Sequence, residues 1–194
     1  MPGDLAIRQP LQPGTFSTLW NADDRFVESY FRRHPGHYST GDGGYIDDDG
    51  YVFVMGRIDD VINVAGHRLS TGVLEGVLAA HPAVAECAVI GVVDSLNGQV
   101  PLGLVVLKAG VERAPAELRA ELVRMVRESI GPVASFHDVE IVARLPKTRS
   151  GKILRATMRA IADGREYSVP STIEDASVLD AVIAAITGRP APAS

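Results

Sequence analysis

Hydrophobic and polar positions in the middle of the chain follow the spacings of an alternating α/β module. Apolar runs over 84–92 and 100–107 predict two strands. Apolar residues three or four apart over 115–130 predict an amphipathic helix that begins at a proline and stops at Gly131-Pro132. Shorter segments complete a β-α-β-β-α-β-α order over 61–163, which is near the usual size of a domain. They are predicted strands at 61–64, 67–69 and 139–142, and predicted helices at 71–81 and 153–163.

The two ends of the chain have a different pattern. Glycine and aspartate clusters over 41–44 and 47–50 predict turns in a β-rich first third. Residues 166–194 predict a tail with one amphipathic helix, 173–186, and a disordered Pro-Ala-Pro-Ala-Ser end. The elements predicted in the first third are a strand at 4–8, a helix at 22–33, and hairpin strands at 45–46 and 51–55.

Composition narrows the class of protein. The 194 residues fit one domain or two small ones, and 46% hydrophobic with 22% charged residues is the balance of a globular protein. A formal charge of -5 argues against a general nucleic-acid surface. No apolar stretch is long enough to span a membrane and no signal-peptide pattern is present, so we expect a soluble, cytoplasmic protein without a membrane partner. The single cysteine, Cys87, lies in an apolar run and is expected to be a core thiol rather than a nucleophile.

The strongest local signal is a basic segment near the C-terminal end. Residues 146–165 carry six bases against Asp163 alone. A solvated helix face is the ordinary interpretation, and a phosphate or anion site is the functional one. The loop over 145–152 bears three cations ahead of a helix, and it is not a Walker loop because the first glycine is missing and Ile153 occupies the hydroxyl position. A lysine on such a loop can stabilise negative charge that develops in phosphoryl or nucleotidyl transfer.

Three glycine-containing segments are weaker candidates. Asp42 stands between glycines, where a carboxylate can bind a pair of ribose hydroxyls, although the same composition is common in turns. Arg57 and the acids at 59–60 lie where the β-rich third meets the α/β module, a position suited to a hinge. Arg68 follows a tight glycine turn and offers a cationic fork to phosphate, with a structural hairpin and a surface arginine as the alternative.

Five motifs occur in order along the chain. They are Tyr-x-Thr-Gly-Asp at 38–42, Asp-Gly-Tyr at 49–51, Gly-Arg-x-Asp-Asp at 56–60, Gly-His-Arg-Leu-Ser-Thr at 66–71 and Pro-Lys-Thr-Arg-Ser-Gly-Lys at 146–152. Together they resemble the C-terminal part of an AMP-forming short-chain acyl-CoA synthetase of the acetyl- and propionyl-CoA synthetase family, over about 1–185. The segments 60–71 and 98–103 look closer to propionate-CoA ligases than to acetate-CoA ligases.

The resemblance implies an enzyme that makes an acyl adenylate from a carboxylate and MgATP, releases pyrophosphate, and then transfers the acyl group to CoA with release of AMP. It implies that Lys152 is the catalytic adenylation lysine and that a lysine acetyltransferase and a deacetylase act on it as partners. Asp59 matches the hinge about which the C-terminal domain rotates between the half-reactions. The residues implied to bind ATP or AMP are Asp42, Arg57 and Arg68.

The resemblance also implies sites for CoA and magnesium. Ala65 and Gly66 would line the tunnel for the pantetheine arm, and Arg127 would hold a CoA phosphate. The implied magnesium ligands are backbone carbonyls and one imidazole, from Ala79, His81 and Val84. A helix that simply ends at His-Pro is the alternative explanation of that segment.

The implied fold class is α/β, more strictly α+β, of the adenylate-forming superfamily. The implied domains are the β-rich end of an AMP-binding N-terminal domain at 1–58, a compact three-stranded α/β C-terminal domain at 59–165, and a helix with a tail at 166–194. The upstream ATP and acyl sites of that family have no counterpart in this sequence. We therefore expect little activity from the isolated chain and a need for an N-terminal domain or complementing subunit. The alternative is a noncatalytic module that binds CoA, a nucleotide or a partner subunit.

Overall fold

The computed structural model describes residues 3–188. Their contacts divide the chain into two compact units, with the division between Asp59 and Asp60. The backbone passes this point in the 3-10 turn Ile58–Asp60. The side chain of Asp59, the predicted hinge, and the predicted disordered end lie outside the described residues. The division separates the β-rich first third from the segments that predict the α/β module.

The first unit contains a three-stranded antiparallel sheet. Its strands are β1, Gly3–Arg8, β2, His37–Ile46, and β3, Val52–Arg57, in the order β1-β2-β3. Helix α1 spans Asp23–Tyr30, inside the predicted range but shorter at both ends. Strands β2 and β3 are longer than the predicted hairpin strands because their pairing continues past the apolar positions.

Residues 41–44 lie inside β2, so the turn predicted there is wrong. Residues 42–44 pair with neighbouring strands, and the β2-β3 ladder shifts register between Gly43 and Gly44. A Cβ on Gly44 would lie 2.3 Å from the carbonyl oxygen of Phe53, which no side chain tolerates. These glycines therefore allow close backbone approach within a strand. The turn predicted at 47–50 is confirmed.

Aromatic side chains pack against one another in the first unit. Phe26 is 8% exposed, and its ring centroid lies 5.1 Å from that of Phe16. Tyr30 stacks on Tyr38 with centroids 5.1 Å apart and ring planes 9° apart, which fastens α1 to β2. Other large apolar side chains of this unit remain exposed, including Trp20 at 91%. The unit thus combines a small aromatic core with an apolar surface.

A five-stranded sheet forms the centre of the second unit. The strands are β4, Val61–Val64, β5, His67–Ser70, β6, Val84–Asp94, β7, Gly98–Leu107, and β8, Asp138–Ile141. They lie in the order β5-β4-β7-β6, and β8 runs parallel to β7. The prediction of a three-stranded domain is therefore corrected to five strands. The hairpin of β4 and β5 joins the other three through the pairing of Val64 with Gly98, a long-range contact that no local pattern indicates.

Helices cover both faces of this sheet. They are α2, Thr71–Ala79, α3, Pro115–Ile130, α4, Arg155–Ala162, and α5, Val178–Thr187. Alternate residues of β6 point to opposite faces, since Val89 packs with α2 and α3 whereas Ala88 and Ile90 pack with α4 and α5. Two-sided burial explains why β6 and β7 form apolar runs in the sequence. Over residues 3–188, no helix has the length and apolar character that a bilayer crossing requires.

The C-terminal helix α5 is shorter than its prediction of 173–186 and belongs to the core of the second unit. It begins at Val178 because the preceding segment makes other contacts, including a β-bridge between Ile173 and Thr148. Three of its side chains are at most 3% exposed: Leu179, Val182 and Ile186. The helix therefore completes one face of the sheet.

Candidate functional site

The two predicted nucleotide residues of the first unit, Asp42 and Arg57, lie opposite each other on β2 and β3. Asp42 Oδ1 is 3.8 Å from Arg57 Nη1, which also donates a hydrogen bond of 3.1 Å to the carbonyl oxygen of Thr40. The Thr40 hydroxyl accepts from the Asp42 backbone N–H and donates to the carbonyl oxygen of Leu5. The carboxylate and the guanidinium are 35% and 52% exposed. The two side chains thus place a carboxylate, which can accept hydrogen bonds from hydroxyls, beside a planar cation.

Gly41 lets the Arg57 side chain lie across β2. A Cβ at Gly41 would be 2.7 Å from Arg57 Nη2, and the glycine has a φ of +79°. The guanidinium borders a cavity of about 550 Å³ that Tyr38 also lines. Burial, more than any neighbouring charge, raises the pKa of Tyr38 above its ordinary value. The cavity is therefore bordered by a cation and a neutral phenol.

Lys152 lies in a hydrogen-bonded loop between β8 and α4. The Thr148 backbone N–H donates to the Lys152 carbonyl oxygen, and the Gly151 N–H donates to the Thr148 carbonyl oxygen, both at 2.8 Å. The Thr148 hydroxyl accepts from the Lys152 N–H at 3.1 Å and lies 3.0 Å from Ser150 Oγ. Gly151 has a φ of +82°, which glycine adopts without steric cost. The loop therefore has a defined backbone.

Two ion pairs anchor this loop, one on each side. Before it, Lys147 Nζ lies 2.7 Å from Oε1 of Glu86 on β6. After it, Arg155 Nε and Nη2 lie 3.0 Å and 2.9 Å from the two carboxylate oxygens of Glu75 on α2. Glu75 Oε1 also accepts the Val89 N–H at 2.8 Å. The Arg155 and Glu75 side chains are 24% and 17% exposed, and such a forked pair fixes orientation as well as distance.

The contacts of the neighbouring cations leave two exposed bases of the loop, Arg149 and Lys152, without an ion pair within residues 3–188. Lys147 and Arg155 are held by carboxylates, and Arg165 pairs with Asp163 at 2.8 Å. By contrast, Lys152 is exposed and makes no ion pair with any residue in 3–188. Carboxylates therefore hold part of the segment, and the exposed bases Arg149 and Lys152 remain available to an external anion.

The predicted CoA turn closes the hairpin of β4 and β5. Ala65 and Gly66 are exposed and have φ values of 48° and 87°, as a two-residue type I′ turn requires. The Ala65 N–H donates to the carbonyl oxygen of Asn97 at 2.8 Å. Arg68 lies on β5, paired in register with Asn63, and its side chain is exposed. One hairpin thus brings together three of the predicted site residues.

Arg127 lies near the C-terminal end of α3. Its exposed side chain borders a cleft of about 50 Å³ together with Gly131, Ser135 and His137. The cleft offers one permanent cation and one imidazole, which suits an anionic group.

His81, the predicted magnesium ligand, has a structural environment. The residue is 2% exposed, and its Nδ1 accepts a hydrogen bond from the Ala83 backbone N–H at 3.1 Å. Nε2 lies 3.3 Å from Glu121 Oε1, close enough for electrostatic attraction but without the direction of a good hydrogen bond. Arg113 above all, and then His81, lower the pKa of Glu121. Both ring nitrogens are therefore directed at protein atoms.

These contacts do not fit a magnesium ion at His81. Magnesium prefers oxygen ligands in near-octahedral geometry, and neither ring nitrogen of His81 has a lone pair to offer, because Nδ1 accepts the Ala83 N–H and the ring proton is therefore on Nε2. Within residues 3–188 no group of three or more acidic, histidine or cysteine side chains could hold a metal ion. The carbonyl oxygens of Ala79 and Val84 stay predictions as ligands.

Sequence reasoning missed the carboxylates that hold the Lys152 loop. Glu75 and Glu86 are acidic positions inside the otherwise apolar α2 and β6, and that contrast was the available signal. Asp163, the single acid of the basic segment, accepts the Val93 N–H at 3.0 Å on β6. The Glu75 and Asp163 side chains are only 17% and 5% exposed, and acids so far buried are rarely without a partner.

The sequence of this chain is similar to those of known proteins. The profile of the AMP-binding enzyme C-terminal domain matches residues 73–152, from α2 to the adenylation lysine predicted above. Residues 73–152, within the second unit, therefore match the C-terminal domain of AMP-binding enzymes. The chain is homologous to short-chain acyl-CoA synthetases and corresponds to their C-terminal part.

The relatives are long proteins. An uncharacterized protein of Pseudomonas aeruginosa is 57% identical over 97% of this chain and 30% of its own length. The mitochondrial acyl-CoA synthetase short-chain family member 3 of Mus musculus is 50% identical over 91% of this chain and 26% of its own length. The acetyl-coenzyme A synthetase of Pyrobaculum arsenaticum is 48% identical over 89% and 26%. The chain thus spans 26% to 30% of these relatives.

A solved structure gives the same fold. The amide bond synthetase McbA from Marinactinospora thermotolerans has a TM-score of 0.63 and 31% identity, over 82% of this chain and 30% of that chain. This likeness and the family match confirm the predicted mixed α and β fold of the adenylate-forming superfamily.

Proposed function

We propose that the chain is the C-terminal portion of an AMP-forming carboxylate-CoA ligase that acts on a short-chain acid, propionate or acetate. The observation that carries the proposal is the Lys152 loop. Its lysine is exposed and has no ion pair within residues 3–188, while Lys147 and Arg155 anchor the loop on both sides. A lysine held in this way keeps its geometry when the whole unit moves.

In the proposed adenylation step, a carboxylate oxygen attacks the α-phosphorus of ATP and the bond to pyrophosphate breaks. Negative charge passes from the carboxylate to the phosphoryl oxygens and the leaving group. The Lys152 ammonium, between the carboxylate and the α-phosphate, offsets the repulsion of the two anions and stabilises the charge that develops. An acetyltransferase acting on Lys152 would remove that charge.

The nucleotide contacts are assigned to three polar side chains, the half-buried Asp42 and the exposed Arg57 and Arg68. The Asp42 carboxylate accepts hydrogen bonds from the ribose hydroxyls, and Arg57 beside it contacts the nucleotide. Arg68 offers a fork of N–H donors to the ATP phosphates. Magnesium bound with ATP neutralises phosphate charge.

In the proposed second half-reaction, the CoA sulfur attacks the acyl carbon and AMP leaves. The Ala65–Gly66 turn lines the passage of the pantetheine arm, since neither residue extends beyond Cβ. Arg127 holds a CoA phosphate at its cleft. The division between the two units lies beside Asp59. Rotation of the second unit about Asp59 moves Lys152 away from the acyl group and brings the Ala65–Gly66 turn to it.

The test is a hybrid enzyme in which this chain replaces the corresponding segment of the Mus musculus relative. Exchange of labelled pyrophosphate into ATP measures adenylation, and transfer from synthetic acyl adenylate to CoA measures the second half-reaction. Lys152→Ala should lower exchange about 100-fold or more, and change transfer less than about threefold. Lys108→Ala is the matched control, because Lys108 is one of the chain's three lysines and is also exposed.

Equal exchange rates in Lys152→Ala and Lys108→Ala would refute the role given to Lys152. A folded hybrid that forms no acyl adenylate, while the unaltered mouse protein does, would refute the ligase proposal. That result would favour a module that only binds CoA or a nucleotide.

A further inference from the structure

The Ala65–Gly66 turn is held in place by the neighbouring turn between β6 and β7. The Ala65 N–H donates to the Asn97 carbonyl oxygen at 2.8 Å, and the Asn63 N–H donates to Gln99 Oε1 at 2.9 Å. Between these two hydrogen bonds, β4 and β7 are paired at one position. Hydrogen bonds to Asn97, just before β7, and to Gln99, within β7, therefore attach the tip of the hairpin to the sheet.

Ala65 needs this support because its backbone is left-handed. A φ of 48° is uncommon for a residue with a Cβ that is not asparagine or aspartate. Gly66, with a φ of 87°, has no such requirement. The hydrogen bond to Asn97 fixes the direction of the Ala65 N–H and so favours the turn over more open conformations of the hairpin.

Asp94 orders the carbonyl that accepts this hydrogen bond. Its Oδ1 accepts the backbone N–H of Asn97 at 2.7 Å, the N–H of Leu96 at 3.1 Å and the Asn97 side-chain amide at 3.0 Å. The hydrogen bond from the Asn97 backbone N–H is the main cause of the lowered pKa of Asp94. Asp94 therefore fixes the backbone of Asn97, and Asn97 in turn fixes the N–H of Ala65.

We infer that Gln99 and Asp94 are positioning residues for the transfer of the acyl group to CoA. Gln99 acts through Asn63, and Asp94 acts through Asn97, to keep the Ala65–Gly66 turn in the shape that admits the pantetheine arm. This inference rests on the proposed function of that turn. Neither side chain belongs to the adenylation machinery, so the two half-reactions should respond differently to their loss.

The hybrid enzyme tests the inference. Gln99→Ala leaves the Asn63 N–H without its acceptor and should lower kcat/KM for CoA about fivefold to tenfold, with pyrophosphate exchange within about twofold. Gln99→Glu retains an Oε1 acceptor and should restore most of the loss. Ala65→Gly combined with Gln99→Ala should recover part of it, since glycine adopts the turn without support. Ser95→Ala is the matched control, because Ser95 is exposed on the same turn.

A second readout uses the chain by itself. Amide hydrogen exchange at Ala65 should be faster in Gln99→Ala than in the parent chain, and unchanged in Ser95→Ala. The inference fails if Gln99→Ala and Ser95→Ala transfer acyl groups to CoA equally well. It also fails if Gln99→Ala slows both half-reactions equally, which would indicate general destabilisation. A parent hybrid that makes no acyl adenylate refutes the proposed function, whereas an active parent with an insensitive Gln99→Ala refutes only the positioning role.

Discussion

Removing the guanidinium of Arg155 breaks the ion pair that joins the start of α4 to α2. Loss of one partner from a buried pair costs about 3–5 kcal/mol, whereas an exposed pair contributes about 1 kcal/mol or less. Arg155 and Glu75 are 24% and 17% exposed, nearer to the buried limit. Glu75 keeps its hydrogen bond from the Val89 N–H, which compensates part of the loss. We therefore expect Arg155→Ala to lower the free energy of unfolding by about 2–3 kcal/mol.

Urea unfolding followed by circular dichroism measures this change. With a slope of about 2 kcal/mol/M, the midpoint should fall by about 1–1.5 M. Arg155→Lys should give an intermediate value, because an ammonium cannot reproduce the fork. Arg124→Ala is the control, since its pair with Glu128 spans 3.8 Å at 67% and 69% exposure and should shift stability by less than about 0.5 kcal/mol. An Arg155→Ala midpoint equal to that of Arg124→Ala would refute the anchoring role of the pair.

Three further predictions concern the second unit. Leu118 is fully buried, so Leu118→Ala should cost about 2–5 kcal/mol in urea unfolding, and a cost near zero would place α3 outside the core. Burial, with a smaller contribution from Glu75, raises the pKa of Cys87 to about 11, so its alkylation at pH 8 should be on the order of 100-fold slower than that of a free cysteine; rapid labelling would contradict the burial. The lowered pKa of Asp94 means that its contribution to stability is present above the ordinary carboxyl pKa of about 3.9 and is lost as the pH falls through the folded-state value. In urea unfolding, Asp94→Ala should therefore lose less stability than the parent chain as the pH falls below about 4. An equal loss of stability in the two chains would contradict this.

Much of the second unit could be predicted because its elements are bounded by strong local signals. Helix α3 spans Pro115–Ile130, as predicted, since proline is favoured in the first turn and Gly131-Pro132 prevents continuation. Strands β6 and β7 extend beyond their apolar runs to Asp94 and Gly98, where backbone pairing continues into polar residues. The two strands could be recognised from their apolar runs because both faces of the sheet are covered by helices.

Contacts between distant segments could not be predicted. Glu75 and Arg155 are 80 residues apart, and each looks like an ordinary surface charge in its own segment. Gly44 resembles a turn residue, and only the approach of the Phe53 carbonyl shows that it belongs to a strand. Among the candidate site residues, Lys152 was found by its motif, but its lack of an ion pair within residues 3–188 depends on where the neighbouring carboxylates lie.

Acyl adenylate formation by the hybrid enzyme with acetyllysine at position 152 tests the central claim most directly. Acetylation leaves the methylene chain of Lys152 in place, adds an acetyl group at Nζ and removes the positive charge. The account predicts a loss of pyrophosphate exchange of about 100-fold or more, recovery on enzymatic deacetylation, and no effect of acetyllysine at position 108. Exchange that continues unchanged with acetyllysine at position 152 would contradict it.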